Sequence, residues 1–288
     1  MDEITQLKLE SIKNKICEHF LKTFGEEAST YKIIKERMAN VQIVMMENEE
    51  FRKQYEEVYG KGAFVPAGVY SRTSGIVILH QTNLDSPRVM ETVIHEMIHA
   101  LSDNRKDKLG LYQYGHDLGR AFNEMATCYI TSKVMGKGYG GSYSKDYREV
   151  FKMFLETSGM SDNELYQHFF GSEMWLTENM CNRFDRNNPE SLSELVTLYD
   201  RRTTEGFDKI RVLEIIKESV KANDLAESNN YNDFVASYCD YFDISLANTD
   251  NDFITQLRKE VVQEPIYQQS SDKTEPKQIN EETRNINK

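Results

Sequence analysis

The chain has 288 residues, 39% of them hydrophobic, which suffices for one large domain or two small ones. Its formal net charge of −12 argues against binding to nucleic acid by general electrostatic attraction and against attachment to anionic membranes. The four cysteines, Cys17, Cys128, Cys181 and Cys239, form no CxxC pair, and we interpret them as free thiols in a reducing compartment.

The N-terminal part of the chain predicts helices beside a small sheet. Apolar residues at helical spacing predict helices over 3–24, 29–38 and 48–58. A strand is predicted at 41–46, and residues 67–79 have the pattern of strand, turn and strand.

The most informative motif follows, because the sequence HEMIH at positions 95–99 has the pattern HExxH. Ser86 suits the N-cap of a helix and Pro87 its first position, and apolar residues flank the motif. Histidines four positions apart share one helix face, where they can bind one Zn²⁺ with Glu96 beside the water that the ion activates. Burying these groups without a partner is costly. The alternative is a pair of hydrogen-bonded core histidines.

The predicted third zinc ligand is Glu124, since a catalytic zinc needs three protein ligands and an open position. Glu124 is the isolated carboxylate of a second apolar helical stretch over 118–127. The alternative without a metal is a buried structural pair between Glu124 and Arg120.

Other third ligands fit less well. The metzincin class is excluded, because it requires glycine at position 102 and histidine at position 105, where this chain has Ser102 and Arg105. Asp103, Asp107 and His116 remain as alternatives for the third ligand.

The pair Asn123-Glu124, followed by small residues, resembles the glutamate-ligand zincins, or gluzincins. The resemblance implies that the hairpin at 67–79 supplies an edge strand, with which an extended substrate can pair. The chain departs from the thermolysin type at Cys128, where those relatives have an aspartate that orients a zinc histidine. We therefore expect the orienting group to come from elsewhere.

The predicted reaction is hydrolysis of a peptide bond with Glu96 as the general base. The oxyanion of the tetrahedral intermediate needs a further donor. Tyr112, Tyr114 and His116 lie between the two motif helices, and we name His116 and Tyr114 as candidates. Each is alternatively a plain surface or packing residue.

The rest of the chain to about residue 262 predicts helices with breaks near Gly159, Gly171, Pro189, Gly206 and Asn229. Five aromatic residues there predict the core of a helical lobe: Tyr166, Phe169, Phe170, Trp175 and Phe184. The predicted fold class is α+β and mainly helical, with a zincin-like small mixed sheet, the HExxH helix and a C-terminal helical lobe.

The predicted organisation is a catalytic lobe over 1–158, a helical lobe over 159–263 and a polar tail over 264–288. The tail contains two prolines and too few large apolar residues to fold. It is either a frayed terminus or an address, since polar, Glu-containing tails are typical of type IV secretion substrates. We see no signal peptide and no membrane-spanning segment.

The HExxH motif at 95–99, its position in a chain of this length and the polar tail make the sequence similar to the bacterial effector metalloproteases. That resemblance implies Zn²⁺ as cofactor, host actin as protein substrate, and synthesis in a bacterial cytoplasm followed by translocation to the host cytosol. We further expect a monomer. The alternatives are a housekeeping cytosolic peptidase that trims small peptides and a non-enzymatic binding protein stabilised by zinc.

Overall fold

The computed structural model of the protein describes residues 2–61, 65–80, 84–114, 119–136, 145–200 and 209–223. Within these ranges the chain is mainly helical with a small mixed sheet, which confirms the predicted class at that level. The helices are α1 (Glu3–Phe24), α2 (Ser29–Asn40), α3 (Asn48–Tyr59), α4 (Pro87–Ser102), α5 (Arg120–Met135), α6 (Lys145–Ser158), α7 (Asp162–Phe170), α8 (Glu178–Phe184), α9 (Ser191–Asp200) and α10 (Lys209–Ala222). The strands are β1 (Gln42–Met45), β2 (Gly68–Ser71), β3 (Ile76–Leu79), β4 (Lys108–Leu109) and β5 (Tyr112–Gln113).

The main sheet has the order β1-β3-β2, with β1 parallel and β2 antiparallel to β3. Since β2 pairs on one side only, no strand covers its other edge in the part of the chain that the structure describes, and we call this the open edge. His80 N donates to Ala67 O at 3.2 Å, which makes 67 and 80 a hydrogen-bonded pair. Hydrogen bonding alternates along an antiparallel pair, so the peptide groups of Gly68 and Tyr70 face the open edge.

The HExxH helix α4 lies at the centre of the core. Val93, Ile94, Met97, Ile98 and Leu101 are all fully buried. A helix that is apolar around most of its circumference must be covered on most sides. Here α1, α2, α5 and β2 all pack against α4, so the motif histidines are fixed by a large part of the fold.

The start of α4 has the predicted residues but not the predicted cap. Ser86 occupies the N-cap position and Pro87 is the first helical residue, yet the Ser86 side chain makes no capping hydrogen bond. The breaks that we predicted near Gly159, Gly171 and Pro189 separate α6, α7, α8 and α9.

Two cations, the half-buried Arg37 and the buried Lys108, cap the C-terminal ends of helices. Arg37 Nη1 donates to Leu101 O at 2.7 Å, near the end of α4, and to Phe170 O at 3.1 Å, at the end of α7. Lys108 Nζ donates to Gly171 O at 3.1 Å. Positive charge at these carbonyls opposes the negative end of the helix dipole. Burial, and then the charge of Arg37, lower the pKa of Lys108 to about 8.

The five aromatic residues of the predicted helical core are all buried. Trp175 also stacks on Phe122 of α5 with ring centroids 5.0 Å apart, and its Nε1 donates to Leu111 O at 2.7 Å. The segment between α7 and α8, which contains Trp175, therefore supports the segment between the two motif helices. There the structure contains the short β4–β5 hairpin, which we did not predict.

Cys17, Cys128 and Cys181 form no disulfide, as predicted. Cys239 and the tail over 264–288 lie outside the described residues. None of the helices within the described ranges has the length and apolar character that crossing a membrane requires.

Candidate metal centre

The two motif histidines converge on one point. His95 and His99 lie one turn apart on α4, and each is 5% exposed. Their Nε2 atoms are 3.1 Å apart, while the ring planes stand at 80° to each other. Both rings therefore present the same nitrogen to a shared position, as two ligands of one metal ion do.

Glu124 of α5 completes the group. Its Oε2 lies 3.2 Å from His95 Nε2, and its Oε1 lies 3.2 Å from His99 Nε2. The ligand atoms of the three residues lie within 4.8 Å of one another, so together they could hold a metal ion. Arg120, the alternative partner of Glu124, instead donates to the hydroxyl of Tyr112 at 3.2 Å.

The electrostatics of this group favour a positively charged His95 beside an ionised Glu124. Burial disfavours the charged form of His95, but hydrogen bonds with Cys128 and Glu124 outweigh it and raise the pKa of His95 well above its usual value. Partial burial likewise opposes ionisation of Glu124, but the charge of His99 and hydrogen bonds with both histidines hold the pKa of that carboxyl far below its usual range. The pocket therefore stabilises positive charge beside an ionised carboxylate.

The start of α5 is held by side chains from elsewhere. The carboxylate of Asp200, at the end of α9, accepts hydrogen bonds from Gly119 N and from Ala121 N, the latter at 2.6 Å. Asn123 Oδ1 accepts from Leu111 N at 2.9 Å. These bonds fix the turn from which Glu124 projects. Sequence reasoning missed Asp200, and nothing in its local sequence marks it.

Cys128 corrects our expectation that the orienting group would come from elsewhere. Cys128 lies one turn after Glu124 and forms a side-chain hydrogen bond with His95. The thiol thus contacts one of the two motif histidines, as the partner of a metal-binding imidazole usually does. His99 Nδ1, by contrast, is buried without a hydrogen-bond partner among the described residues.

The predicted base, Glu96, lies against the edge strand. Its Oε2 accepts a hydrogen bond from Tyr70 N of β2 at 2.6 Å. Burial raises the pKa of Glu96, with the charges of His95 and His99 opposing this shift. A raised pKa makes a carboxylate a better proton acceptor near neutral pH. The carboxylate thus adjoins both the ligand histidines and the open edge of β2.

The other sequence candidates have different surroundings. The Tyr114 ring lies under the guanidinium of Arg72, with Cζ 3.0 Å from the centroid, and burial and Asp103 raise the pKa of Tyr114. Its role as an oxyanion donor stays a prediction. His116 lies outside the described residues. Asp107 is exposed and accepts from Asn104 Nδ2 at 2.7 Å.

Asp103, another alternative ligand, has a fully buried side chain. It accepts a hydrogen bond from the hydroxyl of Tyr70 at 2.8 Å and one from Arg105 N at 2.6 Å. Its carboxylate is therefore engaged with the edge strand, and the metal-ligand group identified in the described part of the chain consists of His95, His99 and Glu124.

Comparisons with known proteins find no relative of this chain. No protein-family model matches the chain, and no curated protein or solved structure shows significant similarity to it.

Proposed function

We propose that this protein is a zinc-dependent endopeptidase. The observation that carries the proposal is the convergence of His95, His99 and Glu124. Two atoms that bind one Zn²⁺ at about 2.1 Å with tetrahedral angles lie about 3.4 Å apart. The closest separations here are 3.1 to 3.2 Å. Two histidines and a glutamate are also one of the ligand sets of catalytic zinc.

A catalytic site fits better than a structural one. Structural zinc sites are closed by four protein ligands, whereas catalytic sites keep one position for water or substrate. The side chain of Glu124 is 42% exposed, while those of both histidines are 7% exposed. Solvent therefore reaches the carboxylate side of the group. This favours an enzyme over a zinc-stabilised binding protein.

When bound, zinc polarises the scissile carbonyl and acidifies water. Glu96 accepts the proton of that water at its carboxylate and later delivers it to the departing amine. The raised pKa of Glu96 supports the first transfer, because a more basic carboxylate accepts the proton more readily. Tyr70 N, which donates to Glu96 Oε2 at 2.6 Å, limits the orientations of the carboxylate.

The open edge of β2 supports a polypeptide substrate. An extended peptide can pair with an unpaired strand edge through its main chain. On that edge Gly68 is buried and Tyr70 N already donates to Glu96, which leaves the carbonyl of the half-buried Tyr70 for a docking peptide. A substrate docked there would therefore have its backbone next to the base.

The identity of the substrate rests on the resemblance to effector metalloproteases. It makes host actin the first protein to test and delivery into a host cell the setting. Residues 264–288 are the candidate delivery signal.

The test combines metal analysis with cleavage assays on the full chain. We expect about one zinc per chain in the wild type and in Glu96→Gln, with cleavage of purified actin or casein only by the wild type. His99→Ala should lose both metal and activity. His168→Ala, which removes a half-buried imidazole elsewhere, is the control and should keep both.

Absence of stoichiometric zinc, or unchanged turnover by Glu96→Gln, would overturn the proposal. If casein is cut and actin is not, mapping of new protein termini in host-cell lysate treated with wild type and Glu96→Gln identifies the substrate instead.

A further inference from the structure

We propose that Tyr70, Asp103 and Arg105 form a positioning network, here called the Tyr70 clasp, which holds the edge strand β2 and the carboxylate of Glu96 in register. The inference rests on the proposed function and deepens it. The three residues are positioning residues, since none of them contacts the metal-ligand atoms.

One residue ties the strand to two points on α4. Tyr70 N donates to Glu96 Oε2 at 2.6 Å, and the Tyr70 hydroxyl donates to Asp103 Oδ2 at 2.8 Å. Glu96 and Asp103 are seven positions apart, so they lie about two turns apart on the same side of the helix axis. Tyr70 therefore runs alongside α4, from the base to the C-cap of the helix.

The far end of the clasp is firmly held. The buried carboxylate of Asp103 also accepts from Arg105 N at 2.6 Å. Arg105 Nη1 donates to the Tyr70 hydroxyl at 3.2 Å and to Arg72 O at 2.6 Å, in the turn after β2. The guanidinium packs over Gly75, where a Cβ would lie 2.5 Å from Nη1. One side chain thus secures both the tyrosine and the hairpin.

The backbone at Arg105 is strained. Its φ of 61° is the only positive value at a non-glycine position within the described residues. Such a conformation is unfavourable for a residue with a Cβ and persists where the surrounding contacts determine it. Here those contacts are the hydrogen bonds to Asp103, Tyr70 and Arg72. The strain is localised at the residue that completes the clasp.

The Tyr70 hydroxyl keeps its proton at neutral pH, as its hydrogen bond to Asp103 requires. Burial raises the pKa of Tyr70 to about 12, so its hydroxyl remains a donor to Asp103 at neutral pH. The amide that orients Glu96 belongs to the strand that would bind substrate. Base and substrate are therefore positioned by the same residue, and small displacements of reacting groups reduce rates strongly.

The test compares Tyr70→Phe with Tyr129→Phe in the full, zinc-loaded chain, with casein as substrate. Tyr129 is a matched control, because it is buried and its hydroxyl donates to Asp162 Oδ1 at 2.7 Å, away from the metal ligands. Tyr70→Phe should lower kcat by roughly tenfold or more while KM stays within about twofold. Zinc content should not change, and Tyr129→Phe should keep the wild-type kcat.

Hydrogen–deuterium exchange provides a readout that does not depend on activity. The amides of residues 68–71 should exchange faster in Tyr70→Phe than in the wild type and in Tyr129→Phe. Unchanged exchange, or a kcat equal to that of the control, would overturn the clasp. A wild type that binds no zinc and cuts nothing would overturn the proposed function, and with it the catalytic role of the clasp, whatever the exchange shows.

Discussion

Cys128 hydrogen-bonds with His95 across two helices, so a thiol one turn beyond Glu124 holds the imidazole that Glu124 contacts. Partners of this kind typically change metal affinity by 10- to 100-fold when removed. We expect Cys128→Ala to weaken zinc binding by about tenfold or more, measured by competition with a chelator. Cys181→Ala, at a half-buried thiol away from the ligands, is the control. Equal affinity in both variants would contradict an orienting role for Cys128.

The carboxylate of Asp200 caps α5 from a distant helix. Asp200→Ala should lower the free energy of unfolding by about 1–2 kcal/mol, as the loss of an N-cap does. It should also weaken zinc binding, because Glu124 projects from the next turn. Thr177→Ala, which removes the cap of α8, should reduce stability and leave zinc affinity unchanged. If both variants weaken zinc binding equally, the effect is general destabilisation.

Alanine substitutions at Gly110 and Gly25 distinguish the loss of stability caused by a steric clash from the loss caused by backbone strain. Gly110 has a φ of 56°, and a Cβ there would lie 2.6 Å from Phe169 Cε2 and would overlap Asn123 Oδ1. Gly25 has a φ of 80°, with nothing within 4 Å of its Cβ position. In thermal unfolding, Gly25→Ala should cost about 1 kcal/mol, and Gly110→Ala at least about 1 kcal/mol more. Equal losses of stability in the two variants would show that the loop at Gly110 shifts to accommodate the methyl group.

The pair of Glu164 and Arg183 predicts a dependence of stability on pH. The hydrogen bond from Arg183 lowers the pKa of Glu164 below its ordinary 4.5, so the unfolded chain binds this proton at higher pH than the folded chain. The stabilisation is therefore complete above pH 4.5 and is lost as the pH falls through the folded-state pKa.

We expect Glu164→Gln to cost about 0.5–1 kcal/mol at pH 7 and close to nothing at the lowest pH at which the chain still folds. Chemical denaturation of the wild type and of Glu164→Gln at both pH values measures this difference in the free energy of unfolding. Glu10→Gln, in the exposed pair with Lys13, should change stability by less than about 0.5 kcal/mol at either pH. A loss at Glu164 that is independent of pH would rule out the ionic contribution.

The convergence of His95, His99 and Glu124 was predictable, because its signals are local. Histidines at i and i+4 must share a helix face, and an isolated carboxylate in a second apolar helix has few other uses. The hairpin before α4 was predictable from alternation around a turn. Both kinds of pattern depend on neighbours within a few positions of the chain.

The residues that position the group were not predictable. Asp200 acts on α5 across a long sequence separation, and the donor to Glu96 is the amide of Tyr70, which every residue except proline has. The β4–β5 hairpin has two residues in each strand, too few to show a period. Cys128 was recognised as a departure from the thermolysin type, but that a thiol would take the orienting position required coordinates.

Arg37 joins the ends of α4 and α7 with one guanidinium. A truncated version that stops at Ser158 for crystallisation or engineering would leave that guanidinium without Phe170 O. It would also remove Asp200 from the first turn of α5 and Trp175 from Leu111 O. The smallest fragment worth expressing for metal binding therefore extends through α10, which packs against the helix that ends at Asp200. Shorter fragments delete the supports of the candidate ligands while keeping those side chains themselves.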